Sequence, residues 1–337
     1  MRLSYRSKLM LKKLFRILLI LLAVALVAAI VVLVYVEPFV IYDRTGAHLE
    51  FAPSTEPSVE LQAPETRPVV ENPQIIYSVG ETAGKTIAEL GGYYITTSML
   101  QDPQAVLDAV KAIDEPCAVM IQLKSIWGYY YYSSGVSGAE RASVQTSVVD
   151  ELLSYLKSNG FYMIAEIPAF SDTVYGLNNQ SCGLPLSGGA LWMDENGCYW
   201  LDPANEQVIS HLMEIARDLA GLGFREVAFS CFTFPTSDNI VYSSDKTHAE
   251  LIAEAAGQLT GFFTGSSTVI SFVSDATDFP ASSCAGRLYV PNVDGSRVEL
   301  YAQAYKDADS LLELVFKAAS RDTRFENRAV LRPLIAE

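Results

Sequence analysis

From about residue 90 onward, short apolar runs alternate with longer stretches whose apolar positions recur every three to four residues. That alternation predicts parallel strands joined by crossover helices. Tyr93–Thr97 reads as the first strand. Asp102-Pro103 then reads as an N-cap followed by proline at the first helical position, opening a helix over Gln104–Ile113 that buries Val106, Leu107 and Val110. The second strand is Ala118–Leu123. The helix that follows it, Val144–Ser158, places Val148, Leu152, Leu153 and Leu156 on one face and stops at Asn159-Gly160. The third strand is Tyr162–Pro168, and its helix, Glu206–Gly221, turns Val208, Leu212, Ile215 and Leu219 inward. Glu226–Phe232 and Thr268–Val273 are the fourth and fifth strands, with a helix over Thr247–Phe263 between them. Arg287–Val290 leads to a helix over Asp307–Ala319, and Ala329–Leu334 is the last strand.

The loops sharpen this picture. Connections from strand to helix are long and aromatic, above all WGYYYYSSGVSG after the second strand and Ser171–Tyr199 after the third. Connections from helix to strand are short. Loops enlarged on one face are what a (β/α)8 TIM barrel with a site at its C-terminal end would show. No Gly-rich phosphate turn follows the first strand, so an open dinucleotide-binding sheet lacks its marker and no cofactor is implied. The pattern counts seven strands. A TIM-barrel-like fold is therefore expected either open on one side or closed by another segment, such as one before Tyr93.

The first 75 residues differ in kind. Ile17–Val36 is a run of twenty residues without charge, Gly or Pro. As a helix it would extend about 30 Å, the thickness of a bilayer core. It continues past the 7–15 apolar residues of a cleaved signal and meets Glu37-Pro38 instead of a small-residue cleavage site, which favours a retained anchor. Residues 1–16 carry six basic groups and no acid, which places them in the cytoplasm and the remainder outside. Residues 37–75 hold six prolines among Glu, Ser and Thr and read as a stalk, with a short strand possible at Phe39–Tyr42. The globular domain is expected over 76–337.

Composition adds two exclusions. Half the residues are apolar and only 19% are charged, so the chain can bury a core. After residue 16 there remain 18 Lys+Arg against 39 Asp+Glu, a surface that repels phosphate backbones and excludes nucleic acid as a partner. The five cysteines and three histidines fit no metal-ligand spacing. Cys182 and Cys198 flank one loop and could form a disulfide; the alternative is that all five thiols are free.

Four segments carry a resemblance. Phe161–Asp172 (FYMIAEIPAFSD) is similar to a segment of the form YxIARIVVFKD, and Trp200-Leu201-Asp202-Pro203 to a W-x-D-P turn. Gly223–Pro235 (GFREVAFSCFTFP) is similar to GFDEIQFDYVRFP, and Ala329–Leu334 to a late strand ending in RPW. Together they resemble the putative glycoside hydrolase domain family, bacterial TIM-barrel proteins related to sugar-cleaving enzymes, from about Tyr93 to the C-terminus. The departures fall where that resemblance would place chemistry. Ser230 stands where the family has a carboxylate at the end of the fourth strand, Thr233 replaces an Arg, Glu166 replaces the Arg of the third strand, and Gln122 replaces an Asp of the second. Lys124 matches.

Glycoside hydrolysis needs two carboxyl groups across the scissile bond. The candidates near strand ends are Glu166, Asp172, Asp202 and Asp275. Glu166 points into the barrel if Ala165 and Ile167 face the helices; it could serve as an acid or pair with a core cation such as Lys124. Asp172 could equally cap a turn, and Asp202 could cap the helix after Ala204. Trp127, Tyr129, Tyr130, Trp192 and Trp200 are candidates for stacking on sugar faces, or for packing the loops; Lys124 and Ser230 complete the candidate binding set. The expected partner is an oligosaccharide or polysaccharide, with the membrane engaged through residues 17–36. Loss of the fourth-strand carboxylate favours binding with weak or no catalysis. An active hydrolase with a displaced acid pair, and a protein-binding scaffold, are the alternatives.

Overall fold

The computed structural model describes residues 40–43, 46–49, 90–280, 286–306, 313–319 and 322–335. The chain divides into two units, Met1–Ile76 and Tyr77–Glu337. In the first, Val40–Asp43 pairs antiparallel with Gly46–Leu49. The expected membrane segment 17–36 lies outside the described residues; among those described, no helix is long and apolar enough to cross a membrane.

The second unit is a closed barrel of eight parallel strands. They are β1 (Gly91–Ile95), β2 (Ala118–Gln122), β3 (Tyr162–Pro168), β4 (Glu226–Ser230), β5 (Val269–Val273), β6 (Arg287–Val290), β7 (Glu313–Lys317) and β8 (Ala329–Pro333). Each strand pairs with its sequence neighbours, and β8 returns to β1. The helices are α1 (Pro103–Lys111), α2 (Thr146–Ser158), α3 (Thr173–Asn178), α4 (Glu206–Leu222), α5 (His248–Phe262) and α6 (Val298–Ala304).

The barrel is neither open nor short of a strand, which corrects the count of seven. The missing strand is Glu313–Lys317, inside the stretch read as a helix over Asp307–Ala319. Its apolar run, Leu311 to Phe316, is too short to show a period, and such runs fit a buried strand as well as a helix. Pairing on both edges decides the matter: Val315 sits opposite Tyr289 on one side and Ala329 on the other.

Elsewhere local chemistry sets the elements. Asp102 caps α1 by accepting from the Ala105 N–H. Asn205 caps α4 by accepting from Gln207 and Val208, and Gly223, at φ 105, ends it. Thr247 and Glu250 form a reciprocal capping box on α5. The strands are buried on both faces, so they read as nearly unbroken apolar runs. Met163, Ala165 and Ile167 of β3 join the layer between strands and helices, while Ile164 joins Met120, Ala228, Tyr289, Val315 and Leu331 in the lumen.

The lumen is stratified. At its floor the fully buried Glu226 carboxylate accepts from Tyr162, Tyr289 and Ser271 hydroxyls and pairs with Arg287 at 2.7 Å. Apolar side chains fill the middle. Residues two positions further along the same strands, on the same face, come up at the C-terminal mouth. These are Gln122, Glu166, Ser230 and Lys317.

Candidate functional site

The mouth is bridged by charge. Strands β3 and β7 stand four apart in a ring of eight, so their ends face each other across the barrel. Lys317 Nζ on β7 donates to Glu166 Oε2 on β3 at 2.6 Å, and both side chains are buried. Gln122 Nε2 on β2 donates to Glu166 Oε1 at 3.0 Å, and Gln122 Oε1 accepts from the Thr97 N–H beyond β1 at 3.1 Å. Lys317 Nζ also lies 5.1 Å from the centre of the Tyr94 ring. Glu166 thus pairs with a cation, but with Lys317 and not Lys124.

Lys124 has another partner. Its ammonium, fully buried, pairs with Asp172 at 2.5 Å and donates to the Pro168 carbonyl at 3.3 Å. Asp172 Oδ1 caps α3 by accepting from Tyr175 at 2.8 Å. Asp172 is therefore both a cap and half of an ion pair, sealed from solvent. His211 of α4 stacks on Tyr175 at 3.9 Å, with its Nε2 4.0 Å from Asp172. Burial first, then the nearby Lys124 charge, push its imidazole down to about 4, against an opposing pull from Asp172.

Asp202 does not cap α4, a role Asn205 takes. Its Oδ1 accepts from Ala204 N and from the Tyr242 hydroxyl, which ties the turn after β3 to the loop after β4. Asp275 is exposed, and its carbonyl accepts from Tyr301. Ser230 faces the lumen half-buried. The next residue, Cys231, holds φ 49, a left-handed backbone that costs a residue with a Cβ about 1–2 kcal/mol. Burial and the Glu166 charge push its thiol up to about 12, which removes it as a nucleophile. Cys182 and Cys198 are free, so the disulfide expected as one alternative is absent; Cys182 Sγ faces Asn205 and Cys198 Sγ faces the Asn196 carbonyl.

The aromatic candidates separate by exposure. Residues after β2 turn back in a tight hairpin, with Ser125 N–H donating to Tyr129 and Tyr131 N–H to Leu123. Its tip presents Trp127, 45% exposed, and Tyr129, 40% exposed. Gly128 between them is required twice: its φ is +98, and a Cβ there would come within 2.1 Å of Asp172 Oδ1. Tyr130 is buried at 2% exposure against Lys124 and is unavailable to a ligand. Trp192 and Trp200 are half-buried and pack edge to face, with Trp200 Nε1 donating to Asp194 at 2.9 Å.

The loop bearing Trp127 and Tyr129 is held firmly. Asp218 of α4 accepts from the Tyr132 and Ser134 hydroxyls and from the Gly135 N–H, and Glu214 accepts from Ser137. The Trp127 carbonyl accepts from Val174, and Ser171 donates to the Ile126 carbonyl. A separate groove of 460 Å³ opens on the outside of the barrel, between the starts of β1, β2 and β8, away from this mouth.

The profile of the putative glycosyl hydrolase domain family matches residues 92–278, more than half of the chain. The chain belongs to this family. The matched stretch covers β1 to β5, and so includes Glu166, Asp172, Asp202 and both exposed rings; Lys317 lies beyond it. No curated protein matches. Among solved structures, the chain is similar to a hypothetical protein from Ruminiclostridium thermocellum, at 24% identity over 54% of this chain and 96% of that one, with a TM-score of 0.46. It is also similar to a family 20 exo-β-N-acetylglucosaminidase from Vibrio harveyi, at 8% identity over 68% of this chain and 41% of that one, TM-score 0.49. A third is an α-galactosidase from Thermus thermophilus, at 13% identity over 65% and 46%, TM-score 0.43.

At the mouth the lumen-facing positions on β2, β3 and β4 are Gln122, Glu166 and Ser230. Lys317 supplies a cation from the opposite strand. Nothing in the sequence pointed to Lys317, because it ends a run read as helical. The one usable signal was Glu166 itself, a lumen-facing carboxylate that calls for a cation nearby.

Proposed function

We propose that this family member binds carbohydrate at its barrel mouth and does not cleave it. The observation that carries this is the bridge itself. The carboxylate that reaches the lumen mouth, Glu166, is already tied to Lys317 at 2.6 Å, and Gln122 and Ser230 occupy the flanking positions. A hydrolase needs a second carboxyl group roughly 5–10 Å away to attack or to activate water. Asp172 is sealed in its own pair with Lys124, and Asp202 is held in a turn. Binding has better support: two exposed rings sit on a loop fixed by carboxylates of α4, a preorganised surface for a sugar face.

Titration of the full-length protein against a panel of neutral, amine-bearing and acidic oligosaccharides tests this. Binding to at least one class is expected, weakened about tenfold by Trp127→Ala or Tyr129→Ala, in line with the worth of an aromatic contact. Absence of binding to every class would sink the proposal.

The same proposal places the domain outside the cell membrane, tethered by residues 17–36. Support comes from the length of that apolar run and the basic residues before it. Membrane fractions washed at alkaline pH should retain the protein, and a membrane-impermeant label should reach the domain in intact cells. Release by the wash, or labelling only after lysis, would refute the tether.

A further inference from the structure

The bridge joins one fixed partner to one movable partner. Glu166 is short, buried at 4% exposure, and clamped from β2 by the Gln122 side-chain amide, whose Oε1 accepts from the Thr97 N–H. Lys317 is the last residue of β7 and carries its charge on a flexible four-carbon stem. It also lies over the Tyr94 ring at 5.1 Å, a face on which an ammonium can rest when its carboxylate is taken.

This asymmetry gives the mouth a sign. A group that enters by displacing Lys317 inherits a buried carboxylate and must neutralise it. A neutral hydroxyl or amide cannot, because leaving a buried charge uncompensated is strongly unfavourable. An incoming anion would need Glu166 to withdraw from the amide of Gln122 that holds it. A cationic donor satisfies both the charge and the hydrogen bond. The wider field agrees, since the chain after residue 16 carries 39 acidic against 18 basic residues and draws cations towards it.

We propose that the ligand is a carbohydrate with an unsubstituted amine, a deacetylated amino sugar, whose ammonium replaces Lys317 on Glu166. This rests on the carbohydrate-binding reading and adds the ligand's chemical class to it. The exposed Trp127 and Tyr129 rings accept the sugar face, and Glu166 selects the nitrogen.

The test compares four probes by isothermal titration with the full-length protein in detergent: chitosan oligomers, the fully N-acetylated chitin oligomers of the same length, cello-oligomers and oligogalacturonates. Chitosan oligomers are expected to bind about tenfold or more tightly than the other three, the scale of one compensated buried charge. Glu166→Gln should abolish the difference. Lys317→Met should strengthen chitosan binding several-fold, because the internal competitor is gone. The wild-type comparison needs no variant, so it stands even where a variant folds poorly. Equal binding of chitosan and chitin oligomers, or a preference for the uronate, would overturn the amine assignment and leave carbohydrate binding intact. No binding to any of the four would overturn both.

Discussion

At Asp172 two roles meet in one side chain, and they can be separated. One oxygen caps α3 and the other pairs with Lys124, whose side chain is fully buried. Asp172→Asn keeps an acceptor for the Tyr175 N–H and removes only the charge. Lys124 is then left buried and uncompensated, a loss of about 3–5 kcal/mol. Chemical denaturation should register that loss. A change under about 1 kcal/mol would mean that the pair contributes little and that the cap alone matters. The sequence showed Lys124 and Asp172 as family-like positions but not as partners, because they lie far apart along the chain and meet only when the loops after β2 and β3 close on each other. Glu166 was legible as a lumen residue from the alternation of β3. Its partner was not, since Lys317 ends a run too short to reveal its strand.

The elements around the mouth are coupled through α4. Its inward apolar face was readable in the sequence, and Val208, Leu212, Ile215 and Leu219 are all buried, but its cap is Asn205 and not the Asp202 that the sequence offered. Its polar face was not readable as functional, because Asp218 and Glu214 look like ordinary solvated acids until the loop after β2 folds down on them. His211, on the same helix, faces Asp172 and Lys124 and gives this junction a pH dependence. Its folded imidazole is lowered from 6.5 to about 4, chiefly by burial. The unfolded chain therefore takes up the proton first. Stability should be full above pH 6.5 and fall between pH 6.5 and about 4, by about 3 kcal/mol for a shift of this size. In His211→Phe, which keeps the ring stacked on Tyr175, denaturation midpoints across that window should flatten. An unchanged slope in the variant would assign the acid sensitivity to other groups.

On the scale of the whole molecule, the barrel was legible in outline and its closure was not. Strand β3 was read from Tyr162 to Pro168 as observed, the N-cap of α1 is the expected Asp102, and α5 begins within a residue of its expected start. Strand β7 escaped because apolar runs of that length carry no distinguishing period. Closing the ring has a functional consequence, since it sets β7 opposite β3 and lets Lys317 reach Glu166 across the lumen. The ion pair between Glu166 and Lys317 thereby spans the mouth of the closed barrel.

The central claim is that this mouth holds sugar without cutting it. Reducing-end release from an oligosaccharide that the protein binds, followed over days for the wild type beside Glu166→Gln, tests that claim most directly. The account predicts release no faster than in buffer for both proteins. Steady turnover by the wild type that Glu166→Gln eliminates would contradict it.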